Sequence, residues 1–319
     1  MSQAWVVGEV LVDLIPAIDG DEMIDGIRYR AVVGGGPANT AKALSRLGQD
    51  CAFIGGLSSD RFGHMAWMEL ERDGVGLDLV LESDQPTAKA ILSIGEDGSA
   101  SYRFDVDGSV TFGFDDGWLP EGVAQVIHVG TLATVIEPGS SSILEWVKGK
   151  REEGSLVLFD PNVRCDYLGE REGYRKIVKK WVEISDVVKA SSDDISWLYP
   201  ELNENAVVEL WREAGASLVV VTKGDEGIVA YNNGSRVHVP GIEVDLVDTV
   251  GAGDTVGAVL IEAILDDGLE ALQSETLEAV LQRATVAAGI TCSRQGANPP
   301  TNKEVNEFIE RMAEKSMGA

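Results

Sequence analysis

The sequence has few of the residues that mark secreted, membrane-bound or metal-binding proteins. Its three cysteines lie far apart and form no C-x-x-C pair, and its three histidines show no metal-ligand spacing. No apolar run approaches the roughly 20 residues that a membrane helix needs. The first residues lack the basic segment that begins a signal peptide. These absences predict a chain that works in a reducing compartment, and we expect it in the cytoplasm.

Basic residues are also scarce: 26 lysines and arginines stand against 53 aspartates and glutamates, which gives a formal charge of -27. Nucleic acids and anionic membranes are bound by basic patches, so neither is expected as a partner. The chain also lacks the G-x-x-x-x-G-K-[ST] loop of P-loop kinases and the G-x-G-x-x-G fingerprint of dinucleotide-binding enzymes. A small pocket of locally positive charge is still allowed.

Strand and helix patterns alternate over most of the chain. The apolar strands of this alternation are residues 126–130, 156–160, 186–190 and 218–224. Segments of helical periodicity separate them, which predicts βαβ units and a parallel sheet with helices on both faces. We expect residues 1–319 to form one domain. Residues 4–15 are expected to form a single buried strand, and the strand-like segments 11–33 and 86–112 predict a small separate sheet.

The most informative segment is D-T-V-G-A-G-D-T at residues 248–255, between a strand predicted at 243–247 and an apolar helix. The small residues Gly251, Ala252 and Gly253 let backbone amides turn toward one point. With the helix N-terminus they form an anion hole, which suits a phosphoryl group in transfer. Asp254 is then a candidate base for a hydroxyl proton. A helix cap and a tight turn account for the same residues without any chemistry.

A second segment, G-G-G-P-A-N-T-A at residues 34–41, combines bare backbone with a polar side chain. Gly35 and Gly36 would let a polyhydroxy ligand approach the main chain closely. Asn39 offers both donors and acceptors to sugar hydroxyls. The alternative is a tight turn followed by a helix that begins near Pro37.

These two segments, in this order, resemble the two signatures of the ribokinase-like (PfkB) family of carbohydrate kinases. The resemblance extends from about residue 13 to residue 297. It implies a doubly wound three-layer α/β/α fold with a small β-sheet lid, here formed by residues 11–33 and 86–112. It also implies that Asp254 is the catalytic base. In the two segments it assigns Gly35, Gly36, Asn39 and Asp254 to the sugar. It also assigns Asp13 to the sugar, in the N-terminal run G-E-V-L-V-D-L-I at 8–15, where a strand-end carboxylate that faces solvent is the alternative.

Two further runs resemble one subgroup of this family. F-D-P-N-V-R at 159–164 is similar to the D-x-N-x-R run of fructokinase-like and 2-keto-3-deoxygluconate kinase-like members. The similarity implies that Asn162 contacts the substrate and that Arg164 neutralises phosphate or substrate charge. Y-R-F at 102–104 resembles the lid segment whose arginine reaches the sugar, which implies that role for Arg103. A surface salt bridge is the alternative for each arginine.

The nucleotide side carries weaker signals. Ser191-x-x-Asp194 stands where many members have N-x-x-E, a departure that keeps one oxygen and one carboxylate for Mg²⁺. T-K-G-D-E-G at 222–227 resembles the T-x-G-x-x-G nucleotide loop. The residues that the resemblance assigns to ATP are Lys189, Ser191, Thr222, Gly224, Gly227 and Ala288. It assigns Mg²⁺ to Asp194 and a monovalent cation to Asp248. Close helix packing is the alternative for Ala288.

The resemblance implies ATP and Mg²⁺ as cofactors, in many members together with K⁺, and a homodimer formed through the lid sheet. Fructose agrees best with the two subgroup runs. 2-Keto-3-deoxygluconate is an alternative because two arginines could meet its carboxylate. Ribose, a nucleoside or inositol are further ones. A sugar-binding or regulatory relative without catalysis is the alternative of another class.

Overall fold

The computed structural model describes residues 3–94, 100–115, 117–168, 170–232, 234–273 and 275–317. The strands are β1 (Ala4–Val7), β2 (Leu11–Pro16), β3 (Glu22–Ile24), β4 (Ile27–Gly34), β5 (Cys51–Ile54), β6 (Gly56–Ser58), β7 (Leu81–Ser83), β8 (Lys89–Ile94), β9 (Ala100–Asp105), β10 (Val126–Gly130), β11 (Leu156–Asp160), β12 (Val187–Ser191), β13 (Leu218–Thr222), β14 (Ile228–Asn232) and β15 (Ser235–Val239). The α-helices are α1 (Gly36–Arg46), α2 (Arg61–Arg72), α3 (Gly139–Glu152), α4 (Cys165–Leu168), α5 (Arg171–Val182), α6 (Ser192–Leu198), α7 (Glu204–Ala214), α8 (Ala252–Asp267), α9 (Leu277–Cys292) and α10 (Asn302–Met317). Among these helices, none combines the length and apolar character needed to cross a membrane.

The main sheet has eight strands in the order β15-β14-β13-β12-β11-β10-β1-β5. The six strands from β13 to β5 are parallel, and β14 and β15 extend the sheet as an antiparallel pair. All residues of β1, β5 and β10 are buried. Such continuous apolar strands are typical of parallel sheets that are covered on both faces.

Helices cover both faces of this sheet. One face packs against α3, α5, α6 and α7, and the other against α1, α2, α8, α9 and α10. The alternation of side chains along β10 shows the division, because Ile127 and Val129 join the first core and Val126 joins the second. The predicted doubly wound three-layer α/β/α arrangement is therefore confirmed.

A second sheet has five strands in the order β3-β4-β2-β8-β9, which we call the lid sheet. Its small core consists of Val12, Leu14, Tyr29 and Ile91. Its strands fall within or beside the two segments for which a separate sheet is expected, while the turn at 95–98 lies outside the described residues. That this sheet acts as a lid, and that the chain is one domain, stay predictions.

Two expected strands differ from the structure. Residues 4–15 do not form one strand: the chain leaves the main sheet at Gly8, where φ is 149°, and enters the lid sheet as β2. A β-carbon at Gly8 would stand 2.5 Å from Cγ of Pro37, so the bend needs glycine. The strand at 243–247 is absent, although its alternation of polar and apolar residues matches one. Leu246 and Val247 are exposed there, and no strand in the described part of the chain pairs with them.

The strand order places a topological switch beside β1. From β1 the chain first adds β5 on one side and later β10 to β13 on the other. The loops that follow β1 and β10 therefore diverge and leave a crevice at the carboxyl ends of the strands. Ligands of doubly wound sheets bind at such a crevice.

Candidate active site

A cleft of about 550 Å³ opens at this crevice, between the main sheet and the lid sheet. Most of the residues singled out in the sequence line it: Asp13, Gly35, Gly36, Asn39, Asn162, Arg164, Lys189, Ser191, Asp194, Thr222, Gly251, Gly253 and Asp254. The others are not among the described residues that line the cleft: Arg103, Gly224, Gly227, Asp248, Ala252 and Ala288. The structure thus brings together side chains from both ends of the chain.

The N-terminus of α8 forms one wall of the cleft. Gly251 precedes the helix in the left-handed conformation, with φ 81°, and no side chain of the described residues caps the helix. A β-carbon at Gly251 would stand 2.8 Å from Cβ of Ala297, so glycine is required by packing as well as by φ. The uncapped helix end leaves its amide dipoles directed at the cleft. It is suited to bind an anion.

Asp254 is the third residue of α8 and is buried. Its Oδ2 accepts a hydrogen bond of 2.9 Å from Nδ2 of Asn39. Burial raises the pKa of Asp254, and the charge of Lys189 and the Asn39 hydrogen bond oppose that rise. A cleft carboxylate whose proton affinity is increased in this way can act as a general base.

The glycines at the start of α1 pack against the same centre. A β-carbon at Gly36 would lie 2.6 Å from Cγ2 of Thr131 and 3.4 Å from both Oδ1 of Asp254 and Nδ2 of Asn162. The sequence suggested that bare backbone admits a ligand. The structure adds that Gly36 lets three loops meet. The buried Oδ1 of Asn39 accepts no hydrogen bond within the described part of the chain, which suits it to a hydroxyl donor.

Asp13 extends from β2 of the lid sheet into the cleft. Its Oδ2 lies 2.3 Å from the place that a β-carbon at Gly34 would take, so that glycine makes room for the carboxylate. Burial raises the pKa of Asp13 to about 6, and the charge of Arg164 partly opposes the rise. A carboxylate placed there is suited to accept hydrogen bonds from hydroxyl groups.

The loop after β11 carries Asn162 and Arg164. Asn162 has a positive φ of 34°. The loop is held on both sides: the amide of Val163 donates to Oδ1 of Asp194 at 2.7 Å, and the amide of Arg164 donates to the hydroxyl of Tyr174 at 3.3 Å. The Arg164 side chain is exposed at the cleft, and its charge lowers the pKa of Asp13 and of Asp254.

Ser191 and Asp194 form a capping box at the start of α6. Oδ2 of Asp194 accepts from the amide and hydroxyl of Ser191 at 2.8 and 2.7 Å, and the Ser191 hydroxyl accepts from the amide of Asp194 at 3.0 Å. Both oxygens of Asp194 therefore already accept hydrogen bonds. Oδ2 accepts two hydrogen bonds and Oδ1 accepts one, so one lone pair of Oδ1 stays available for a contact with Mg²⁺ through water.

Glu9, which was not predicted from the sequence, is a buried carboxylate that lines the cleft. It accepts hydrogen bonds from the hydroxyl of Thr131 and, at 3.0 Å, from the amide of Ala133. Glu9 follows β1 and Thr131 follows β10, so this contact joins the two loops of the switch point. The signal was the single acidic residue in the apolar run before Asp13.

Of the residues predicted for the nucleotide and the cations, some line the cleft and others lie in turns or loops outside its lining. Thr222 lines the cleft, whereas Gly227 packs in a turn where a β-carbon would stand 2.1 Å from the carbonyl oxygen of Val239. Gly224 lies in the same turn, with φ 58°. Asp248 accepts from the amides of Val250 and Gly296, at 3.0 and 2.9 Å, and so ties two loops together.

Ala288 is a half-buried residue of α9 that packs on the second core. Arg103 lies on β9 between Tyr102 and Phe104, the two residues of that run that line the cleft. Because side chains alternate along a strand, Arg103 extends from the opposite face, where it is exposed.

Comparison with known proteins agrees with this geometry. The family model described as pfkB family carbohydrate kinase matches residues 1–304. Probable fructokinase-4 of Arabidopsis thaliana is 31% identical over 95% of this chain and 95% of its own length. Fructokinase-1 of Oryza sativa subsp. japonica is 32% identical over 95% of this chain and 96% of its own.

A solved structure of fructokinase from Vibrio cholerae O395, with fructose, ADP and calcium ion bound, is also similar. It is 26% identical, covers 97% of this chain and 99% of its own, and superposes with a TM-score of 0.84. The glycine-rich helix start, the buried aspartate and the three-layer fold thus occur together in a chain that the family model matches almost throughout. The resemblance found in the sequence is confirmed, and the chain belongs to the pfkB family of carbohydrate kinases.

Proposed function

We propose that this protein transfers the γ-phosphoryl group of ATP to a hydroxyl group of fructose. The observation that carries the proposal is the buried Asp254, hydrogen-bonded to Asn39 at the uncapped N-terminus of α8, in a cleft that the lid sheet also lines. The curated relatives at 31% and 32% identity are fructokinases, which favours fructose as the acceptor.

The residues suggest an order of events. The sugar binds between the two sheets, where Asp13 and Asn39 accept and donate hydrogen bonds to its hydroxyls. Asp254 takes the proton of the acceptor hydroxyl, whose oxygen forms the new bond to phosphorus while the bond to the ADP oxygen breaks. The amides at Gly253 and Asp254 and the guanidinium of Arg164 stabilise the negative charge on the transferred group. Closure of the lid sheet would exclude water.

We also propose Mg²⁺ and a monovalent cation. Asp194 fits an outer contact with Mg²⁺, because it lines the cleft and its Oδ1 accepts only one hydrogen bond. When bound, Mg²⁺ would neutralise charge on the ATP phosphates. Asp248 fits a monovalent cation, since each of its oxygens accepts one backbone hydrogen bond, from Val250 and from Gly296, and it lies three residues before Gly251. Thr222, Lys189 and Ser191 line the cleft, and we propose that they contact ATP.

The cleft favours a neutral sugar over an acidic one. Binding of the 2-keto-3-deoxygluconate carboxylate by two arginines would need both Arg103 and Arg164 at the cleft, and of the two only Arg164 lines it. The carboxylates of Glu9 and Asp13 also line it, and they would repel the carboxylate of that substrate. Fructose meets the same groups through hydroxyls alone.

A homodimer through the lid sheet and a cytoplasmic location complete the proposal. The lid sheet exposes large apolar side chains at Ile15, Met23 and Ile27, a surface that a second copy would cover. Static light scattering tests this directly: Met23→Lys together with Ile27→Lys should halve the particle mass. A mass that is already monomeric in the unmodified protein would contradict the dimer.

The test of the function is an ADP-release assay with Mg²⁺, K⁺ and ATP over fructose, tagatose, 2-keto-3-deoxygluconate, ribose, adenosine and inositol. We expect fructose to exceed each other compound by at least about 100-fold in kcat/KM. A preference for 2-keto-3-deoxygluconate would show that Arg164 binds a carboxylate. ATP binding without turnover on any compound would favour a sugar-binding relative that does not catalyse.

A further inference from the structure

Lys42 is a buried lysine of α1 that the proposed mechanism does not use. It directly follows the segment at 34–41 and stands one helical turn after Asn39, on the same side of α1. Its side chain is 3% exposed. The ammonium group pairs with Oε1 of Glu69 on α2 and also donates a hydrogen bond of 3.2 Å to the carbonyl oxygen of Ala297. Lys42 thus joins three separate segments of the chain.

Ala297 belongs to the loop at 293–298 between α9 and α10, which we call the rear loop. Cβ and Cα of Ala297 lie 2.8 and 3.0 Å from the place that a β-carbon at Gly251 would take. The rear loop therefore packs directly on the left-handed residue from which α8 begins. The loop is held by two contacts: Asp248 accepts from the amide of Gly296 at 2.9 Å, and Lys42 donates to Ala297.

A second cation of α1 repeats this arrangement. Arg46, four residues after Lys42, donates to Oδ1 of Asn298 at 3.1 Å. It also lies 3.6 Å from Oδ1 of Asp73 at the end of α2, four residues after Glu69. Two cations of one helix thus each contact an acid of the next helix and a residue of the rear loop. Lys42 is the more deeply buried of the two, so its contacts are the less screened by water.

We infer that Lys42 is a positioning residue for phosphoryl transfer, because its ammonium group holds the rear loop against Gly251 and so keeps the anion hole in shape. The inference rests on the proposed function. Gly253 and Asp254, whose amides are proposed to bind the transferred group, follow Gly251 in the first turn of α8. A displacement of Gly251 would turn those amides, and a misplacement of about 1 Å can slow a reaction by about 100-fold.

The same contacts explain why a charged residue is retained at this position. Burying an ion pair is costly, and an apolar pair of similar volume is often as stable or more so. Buried positions of α1 and α2 such as Ala41, Leu44 and Leu70 are apolar, so an apolar side chain at 42 would suit the packing. It could not donate a charge-assisted hydrogen bond to the carbonyl of Ala297. Lys42 is not among the described residues that line the cleft, so it acts through the rear loop.

The first test separates the contact with the rear loop from the ion pair. Lys42→Met should lower both the melting temperature and kcat, the latter by about 10- to 100-fold. KM for fructose should stay within about twofold, because the groups proposed to contact the sugar remain. Lys42→Met/Glu69→Met should melt higher than Lys42→Met, since no unpaired carboxylate is left, but should keep its low kcat.

The double variant decides between positioning and stability alone. If it regains kcat together with its melting temperature, the pair only stabilises the fold and the inference is overturned. An unchanged kcat in Lys42→Met overturns it as well. Because the charge of Lys42 also lowers the pKa of Asp254, kcat is taken on the alkaline plateau of the pH profile, with Mg²⁺ and K⁺ in excess.

The second test follows the anion hole in the free protein, without turnover. The amides of Ala252 and Thr255 are hydrogen-bonded at the start of α8. Hydrogen–deuterium exchange in peptides that cover 248–255 should be about fivefold or more faster in Lys42→Met and in the double variant. Unchanged exchange there in both variants would contradict the inference.

Arg283→Met is the matched control for the exchange measurement. It breaks the pair of Arg283 with Glu262, which lies on the same helix α8 but is not among the described residues that line the cleft. Its exchange at 248–255 should match that of the wild type, and an equal increase would show a general loosening of α8 and overturn the inference. A wild-type protein that phosphorylates no sugar would contradict the proposed function, and the exchange rates would still decide whether Lys42 holds the anion hole.

Discussion

The side-chain amide of Asn39 donates a hydrogen bond of 2.9 Å to the carboxylate of Asp254, across 215 residues of chain. One partner belongs to α1 and the other to α8, the helix that begins at the anion hole. The bond sets the orientation of Asp254 and lowers its pKa against the effect of burial. Asn39 therefore contacts the base, and it also lies where we expect the sugar to bind.

Asn39→Ala should move the acid limb of the pH–activity profile. Asp254 must be deprotonated to accept a proton, so activity is lost as pH falls through its pKa. Removal of the hydrogen bond that lowers this pKa shifts the loss to higher pH. The measurement is kcat between pH 5 and 9 for both proteins. An acid limb that stays in place would mean that Asn39 serves the sugar alone.

Two glycines of α8 offer a matched pair of substitutions. A β-carbon at Gly253 would stand 2.8 Å from Nζ of Lys189 and would displace that ammonium group. A β-carbon at Gly257 would meet Cγ2 of Thr40 at an ordinary contact distance of 4.0 Å. Both changes to alanine favour the helix by up to about 1 kcal/mol. Gly257→Ala should keep kcat and raise the melting temperature, while Gly253→Ala should lower kcat. Equal kcat values in the two variants would show that the space at Gly253 has no catalytic importance.

Asp13→Asn should stabilise the free protein and weaken sugar binding. The pKa of Asp13 is raised from 3.8 to about 6, so the folded state binds its proton more tightly than the unfolded chain. The charged form then destabilises the fold above pH 6, by about 1–3 kcal/mol, and the penalty disappears as pH falls toward 4.

Calorimetric measurement of the melting temperature tests whether Asp13→Asn stabilises the free protein. The variant should melt a few degrees higher than the wild type at pH 7.5 and at the same temperature near pH 4, and its KM for fructose should rise. A variant that melts lower at pH 7.5 would show that Asp13 makes a stabilising contact in the free protein.

The two arginines predicted for the site should behave differently. Arg164→Ala should lower kcat by about 10- to 100-fold with a smaller change in KM for ATP, because its charge acts on the transferred group. Arg103→Ala removes a side chain on the far face of the lid sheet and should leave kcat nearly unchanged. Steady-state kinetics of both variants, with kcat and KM for ATP compared to the wild type, test the difference. An unchanged kcat in Arg164→Ala would make Arg164 a surface residue.

Much of the fold and of the cleft could be predicted from the sequence because local patterns encode it. Strands such as Leu218–Thr222 are continuous apolar runs, and the glycines at 251 and 253 mark a helix start. Sequence patterns predicted the wrong structure where contacts between distant parts of the chain determine the conformation. Among the described strands none pairs with the alternating segment at 243–247, and the bend at Gly8 depends on Pro37, which is distant in sequence.

The same limit applies to Glu9 and Asp160. Each is a single acidic residue at the end of an apolar strand, and nothing local shows that Thr131 or Lys189 lies opposite. Arg103 illustrates the reverse case. The Y-R-F run predicted that Arg103 contacts the sugar, but side chains alternate along the strand, so Tyr102 and Phe104 line the cleft.

The central claim is that Asp254 is the base, and Asp254→Asn tests it most directly. Kinetic measurement by ADP release should show kcat reduced by about 10²- to 10⁴-fold, because an amide cannot accept the hydroxyl proton. Calorimetric titration should show sugar affinity within a few-fold of the wild type, because the Asn side chain keeps the shape of the site. A variant that retains a near-wild-type kcat would contradict the account.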